Sequence, residues 1–244
     1  AETNQFFDSL TANSVSWTMP QKKIVDTIVR DIKGLFNPSY ATSNILSRIK
    51  VLLPIFGGTA YSHSLNLVNP TIYKATMVGS PTHSASGIAL NGTSQYVNTN
   101  YAANLLGNLN RNASIYATGR SAVDAYLWGA FDGSSSLFAV RATDNTAVIL
   151  GFNSVTVPTA LSYSSFTSLN IESGSRGDFY SNGVSVFNTT PVNSTSTYDI
   201  YVGALNLGSV FGYKQFDLKY YMISESLNAT EQANLNSAVS AYQT

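Results

Sequence analysis

Cysteine is absent from all 244 residues. No disulfide and no thiolate-bound metal can therefore brace the fold, and the redox state of its compartment leaves no trace. Charge is scarce as well: Lys, Arg, Asp and Glu make up 11% of the chain and sum to zero, where an average soluble domain has roughly 25%. The basic residues never cluster. A nucleic-acid partner calls for a basic stripe that displaces condensed counterions, and an anionic membrane surface calls for the same, so neither partner is expected. No run approaches the roughly 18 apolar residues of a membrane span. The first ten residues, AETNQFFDSL, are acidic and polar where a secretory leader would be basic and then apolar.

What remains is a surface of Ser, Thr, Asn, Gly and Tyr, rich in neutral hydroxyls and amides. Such a surface suits uncharged hydrogen-bonding ligands such as glycans. It suits equally a subunit that packs edge to edge in a particle.

Periodicity divides the chain in two. In residues 1–56, Pro20 stands near a helix start, Ile24, Ile28 and Ile32 recur every four residues, and Gly34 is placed as a stop. A second helical stretch is expected after Thr42 and Ser43, with Ile45, Leu46, Ile49, Leu52 and Leu53 on one stripe, ending at Pro54 and Gly57-Gly58. This N-terminal helical hairpin either packs on the rest of the chain or serves as an assembly arm. The first ten residues lack periodicity and read as extended or mobile.

Residues 57–244 form the second unit. From about Gly79 the pattern is strand, turn, strand, with Asn91-Gly92, Asp132-Gly133 and Asn182-Gly183 as turn pairs. Strands are expected over NASIYATGR, AYLWGAF, SLFAVRA, TAVILGF, FTSLNIES and GDFYSNGVSVF. Toward the end, Ile200, Val202 and Ala204 share one face, and Phe216, Leu218, Tyr220 and Met222 share another. Asn228 three residues before Glu231 is a helix-start box, with Leu235, Val239 and Tyr242 following at helical spacing. Turn signals every 8 to 12 residues or so predict an antiparallel β-sandwich closed by a C-terminal helix.

The passage from Tyr198 to Tyr242, a GALN strand followed by a closing strand and an SLNATEQANL helix, resembles the end of concanavalin A-like lectin/glucanase sandwiches of the laminin-G-like type. Leu52 to Pro70, Gly79 to Thr99 and Phe179 to Phe187 resemble the same group, as found in tailed-bacteriophage virion and tail-fibre proteins. The resemblance covers about residues 45 to 244. It implies a jelly-roll β-sandwich, a glycan and other virion proteins as partners, and a place on the phage particle after synthesis in the host cytoplasm. A homo-oligomer and a purely structural, self-assembling role stay open beside it.

Glucanases on this fold place two carboxylates on one strand as acid and nucleophile, in a run such as Glu-x-Asp-x-Glu. No such run exists here, and only His63 and His83 are available for lyase chemistry, so no catalytic residue is expected. A hydrolase or lyase of this fold is the remaining alternative. No cofactor is expected. Laminin-G-like sandwiches often hold calcium through loop carboxylates, for which Asp132 and Asp144 are the candidates; the local reading of Asp132 is an Asp-Gly turn. A sugar site needs an aromatic ring lying against a pyranose, ringed by amides and hydroxyls. With Leu127 and Phe131 read as core, Tyr126 and Trp128 face the other way, and Tyr180 and Asn182 lie across from Phe179. These four are the carbohydrate-binding candidates. The competing reading of Trp128 is a core residue between the sheets.

Overall fold

A computed structural model of the protein describes residues 2–15, 19–32, 45–107, 110–133, 137–142, 147–150, 155–157, 165–173, 176–190 and 196–241. Helices α1 (Glu2–Ala12) and α2 (Met19–Ile32) lead into strand β1 (Ile49–Leu53) and the short helix α3 (Ala60–Ser64). Strands β2 (Thr76–Val78), β3 (Thr82–Ser84), β4 (Gly87–Asn91), β5 (Tyr96–Ala102), β6 (Arg111–Thr118), β7 (Ala125–Phe131), β8 (Leu137–Ala142), β9 (Ala147–Leu150) and β10 (Val155–Val157) follow. The chain finishes with β11 (Ser165–Ser173), β12 (Arg176–Ser181), β13 (Val184–Thr189), β14 (Asp199–Val202), β15 (Leu205–Asn206), β16 (Val210–Phe211), β17 (Gln215–Ser224) and helix α4 (Ala229–Ala241).

The strands form two sheets, stacked as a jelly-roll-like sandwich. One runs β13-β12-β11-β6-β17-β4-β3, with β1 also paired to β17; the other runs β10-β9-β8-β7-β14-β5-β2. Pairing is antiparallel except for a parallel bridge between β15 and β7. Their facing sides bury Ile88, Val97, Ile115, Leu127, Phe138, Leu169, Phe179, Ile200 and Leu218 in one apolar layer. On β6 the inward residues Ala113, Ile115 and Ala117 alternate with Asn112, Ser114 and Tyr116 on the outer side, as a pleated strand requires.

The outer side of the first sheet is covered too. Phe6 and Leu10 of α1, Val25 and Val29 of α2, and Leu235 and Val239 of α4 pack with Phe166, Tyr220 and Met222 in a second apolar cluster. Each helix contributes a pair spaced by four, which puts both side chains on one stripe. Helices α1 and α2 therefore pack on the sandwich, in place of a hairpin of α2 with residues 42–53. The start of α4 carries the expected reciprocal cap: Glu231 N–H donates to Asn228 Oδ1 at 3.0 Å, and Asn228 N–H donates to Glu231 Oε2 at 2.8 Å. Its inner face is polar as well as apolar. Gln232 Nε2 donates to Asn112 Oδ1 at 2.8 Å, and the Leu227 N–H donates to Asn170 Oδ1 at 2.7 Å.

Four expectations need correction. Residues 2–12 form helix α1, because Phe6 and Leu10 gain burial only as a helical pair. The stretch from Ile45 to Leu53 is a single 3-10 turn (Ile45–Arg48) and then strand β1, which pairs with β17. With Val51 and Leu53 facing the inter-sheet core and Leu52 facing the helices, an apolar run buried on both sides mimics a helical stripe. The side chains of Ile24, Ile28 and Ile32 lie outside the described ones. Asn91-Gly92 joins no hairpin: β4 and β5 belong to different sheets, and Asn91 Oδ1 accepts the N–H groups of Thr93, Ser94 and Gln95 to carry the chain across. Finally, the alternation on β17 switches. A bulge beside Leu218 leaves Phe216 and Leu218 inside the sandwich but turns Tyr220 and Met222 out under the helices, while Tyr221 and Ile223 point in.

Candidate functional site

The helices cover the first sheet around Phe166, Tyr220 and Met222, whereas the outer side of the second sheet carries no helix among the described residues and is open to a ligand. On β5, Val97 and Tyr101 point inward, which turns Tyr96 and Asn98 out; on β14, Ile200 and Val202 point inward, which turns Tyr201 out. Cross-strand pairing sets Tyr201 opposite Asn98 on one side and Gly129 on the other. The Tyr96 and Tyr201 rings lie 4.5 Å apart between centroids, and Tyr213 lies 6.3 Å from Tyr96. Burial, with the neighbouring Tyr96 and Asp199 adding to it, raises the Tyr201 hydroxyl to about 12. The hydroxyl stays protonated at neutral pH and can donate.

Next to this trio the chain between β15 and β17 folds over β7. Gly212, at φ +64°, lays bare backbone on the Tyr126 ring: a Cβ there would meet Tyr126 Cδ2 at 2.6 Å. Phe211, 56% exposed, contacts Tyr126 edge to face at 6.3 Å. Two partly exposed aromatic groups, Tyr96, Tyr201 and Tyr213 on one side and Tyr126 with Phe211 on the other, are thus joined through the Phe211-Gly212-Tyr213 backbone, with Asn98 opposite Tyr201. Stacking rings and nearby neutral donors and acceptors are the features a pyranose needs.

The sequence candidates do not assemble into one surface. Tyr126 is half-buried on the open face, but Trp128 is fully buried between the sheets, 4.9 Å from Phe138 and 6.5 Å from Tyr221. The expectation that the two share a face is corrected by a bulge. In the pairing of β7 with β8, Tyr126 opposes Arg141 and Trp128 opposes Val140, leaving Leu127 as the extra residue. Leu127 and Trp128 consequently both point inward, while Phe131, read as core, packs with Tyr126 on the outer side.

Tyr180 lies on the other sheet, on the side opposite the inward Phe179, and is 1% exposed. Burial raises its hydroxyl to about 12. Asn182 is exposed in the hairpin turn between β12 and β13, where it and Gly183 take φ of +49° and +78°, as a two-residue primed turn requires. Its Oδ1 accepts the Phe166 N–H at 3.2 Å. That is a turn role, on the far side of the molecule from Tyr126.

Of the metal candidates, Asp132 Oδ2 accepts the Thr197 N–H at 3.4 Å, and Asp144 lies outside the described residues. No trio of His, Cys, Asp or Glu is placed to hold a metal among the described residues. The two histidines meet each other. His63 Nδ1 and His83 Nδ1 are 2.9 Å apart, and His63 Nε2 accepts the Gly58 N–H at 3.2 Å. With Nε2 occupied as an acceptor, the proton of a neutral His63 sits on Nδ1 and is donated to His83, whose own proton is left on Nε2. Burial, with His83 adding to it, lowers His63 to about 3, and burial lowers His83 as well.

Tyr96 and Tyr201 carried a legible signal. Tyr201 alternates with Ile200 and Val202, and Tyr96 precedes the inward Val97, so both could be placed outward from parity alone. Phe211 and Tyr213 carried none, because the short β15–β16 pair has no period to read.

No protein-family model matches the chain, and no curated protein matches it. Its fold is similar to that of Trypanosoma rangeli sialidase in complex with sialic acid, with a TM-score of 0.62 and 13% identity over 88% of this chain and 38% of that one. A mutant of that sialidase displaying trans-sialidase activity matches with a TM-score of 0.60 and 12% identity over 91% and 40%. A chain of botulinum neurotoxin type C, whose cell entry depends on interaction with two ganglioside molecules, matches with a TM-score of 0.59 and 10% identity over 82% and 53%. The chain spans about two fifths to half the length of these proteins. At such identities the likeness shows the fold alone, a β-sandwich.

Proposed function

We propose that this protein is a non-enzymatic, glycan-contacting module and that the outer face of the second sheet is its binding surface. The observation that carries the reading is the outward aromatic set of this face, Tyr96, Tyr201 and Tyr213 beside Asn98, with the Tyr126 and Phe211 pair joined to it through Gly212. Stacking a ring against the apolar side of a sugar excludes water without calling on charge, which this chain lacks. The sialic acid and ganglioside ligands of its structural neighbours agree with such a role for the fold. The absence of a Glu-x-Asp-x-Glu run from the sequence supports the non-enzymatic part of the proposal. A setting on the virion of a tailed phage is supported by the resemblance of Leu52 to Pro70, Gly79 to Thr99 and Tyr198 to Tyr242.

A glycan array, followed by titration of the best binder, tests the reading. Tyr201→Ala should weaken binding by at least tenfold, about 1.4 kcal/mol, while the loss of its ring pair with Tyr96 lowers stability by only about 1 kcal/mol. The same pure protein should release neither reducing ends nor unsaturated uronates from polysaccharides. Equal glycan affinity in Tyr201→Ala would remove the site. Turnover abolished by a single Asp or Glu change would remove the non-enzymatic reading.

The competing reading, a self-assembling structural subunit, is favoured by the exposure of Phe211 on the same face. Sedimentation separates the two. Dimers or larger species that dissociate in Phe211→Ser, together with a silent array, would select it.

A further inference from the structure

Charge around the aromatic face sorts the glycans it can take. The Arg141 guanidinium stands beside Tyr126 on the strand next to it, but Asp124 already occupies it: Arg141 Nε donates to Asp124 Oδ1 at 2.7 Å, and a second guanidinium nitrogen donates to the other carboxylate oxygen. Lys214, next in the chain to Tyr213, is buried and donates to the carbonyls of Val123 and Ala142. On the other flank Asp199 stands two residues from Tyr201 on β14, on the same outward side.

A carboxylate brought onto this face would lose water and find Arg141 already paired with Asp124 and Lys214 buried on backbone carbonyls, with Asp199 near at hand. An uncharged sugar hydroxyl would find tyrosine hydroxyls and an amide. Desolvating an ionised group without a partner is far more unfavourable than desolvating a hydroxyl that gains one.

We propose that this face selects uncharged hexoses and rejects glycans ending in sialic or uronic acid, with Arg141 held out of recognition by Asp124. The inference rests on the glycan-binding reading of the same face. It also separates this chain from the sialic acid and ganglioside ligands named for its structural neighbours.

The test is an array of matched pairs, each neutral oligosaccharide beside the same one extended by sialic acid or by a uronic acid, probed with the intact protein and with Asp124→Asn. The amide keeps the shape of the side chain but removes the charge that holds Arg141. The parent protein should bind the neutral member of a pair at least tenfold tighter than the acidic one. Asp124→Asn should leave neutral binding within about twofold and raise acidic binding at least tenfold. Parent protein that binds acidic members as tightly as neutral ones would overturn the selectivity while leaving the glycan-binding reading in place. A parent that selects neutral members and an Asp124→Asn variant with unchanged acidic binding would overturn the role given to Arg141. A parent that binds no member of any pair would overturn the binding reading and the selectivity with it.

Discussion

Trp128→Ala should destabilise the protein by about 3 to 5 kcal/mol, as truncating a fully buried aromatic does. The indole is the largest fully buried side chain among the described residues, sits edge to face against Phe138, and reaches Tyr221 from the opposite sheet. Phe138 in turn carries the buried Arg111 guanidinium over its ring at 4.7 Å, so the cavity would open in the middle of a stack that spans both sheets. Each 1 kcal/mol corresponds to roughly 2 to 4 °C in a domain of this size, and the melting temperature should fall by roughly 6 to 20 °C. Trp128→Phe should lose much less. The indole Nε1–H has no hydrogen-bond partner among the described residues, so exchanging it for carbon removes volume but breaks no bond to them. Glycan affinity of both variants, measured below their melting temperatures, should match the parent. An unchanged melting temperature in Trp128→Ala would place the indole outside the core, and a selective loss of glycan binding would return it to the site.

The same residue shows how far sequence carries. The sandwich, the closing helix and its Asn228–Glu231 cap were legible because alternation and capping are local rules that repeat along the chain. Trp128 was misplaced because one extra residue, Leu127, shifts parity for everything after it. A bulge leaves no mark in a pattern of apolar residues. Lys219 marks the same kind of shift on β17, where both sides are buried and the apolar run YYMI gives no alternation to correct it. Of the site, only Tyr126 was named in advance. The rest of the aromatic face depends on the β15–β16 excursion laying Phe211 and Tyr213 beside residues from β5 and β14, a tertiary placement that no local period encodes.

Acid should weaken the fold through the histidine pair. The pair ties the loop before α3 to the β3 strand: Gly58 N–H donates to His63, and His63 donates to His83 on β3. A proton added to His63 would fall on Nε2, against the Gly58 N–H, and a proton added to His83 would fall on Nδ1, against the His63 N–H. Both additions replace a hydrogen bond with two opposed donors, and burial acts in the same direction. Because His63 is lowered from 6.5 to about 3, the unfolded chain takes up its proton first as pH falls. The stabilisation is therefore complete above about pH 6.5 and is lost progressively toward pH 3. At about 1.4 kcal/mol per pH unit once the unfolded imidazole is protonated, His63 alone removes about 2 kcal/mol between pH 6.5 and 4.5, and His83 adds to it in the same direction. Urea titrations at half-unit steps measure the slope. In His63→Gln the slope between pH 6 and 4.5 should flatten by about one proton, whatever the variant loses at neutral pH. A slope equal to the parent's would mean that carboxylates alone set the acid limit and that the imidazole pair titrates freely in the folded protein.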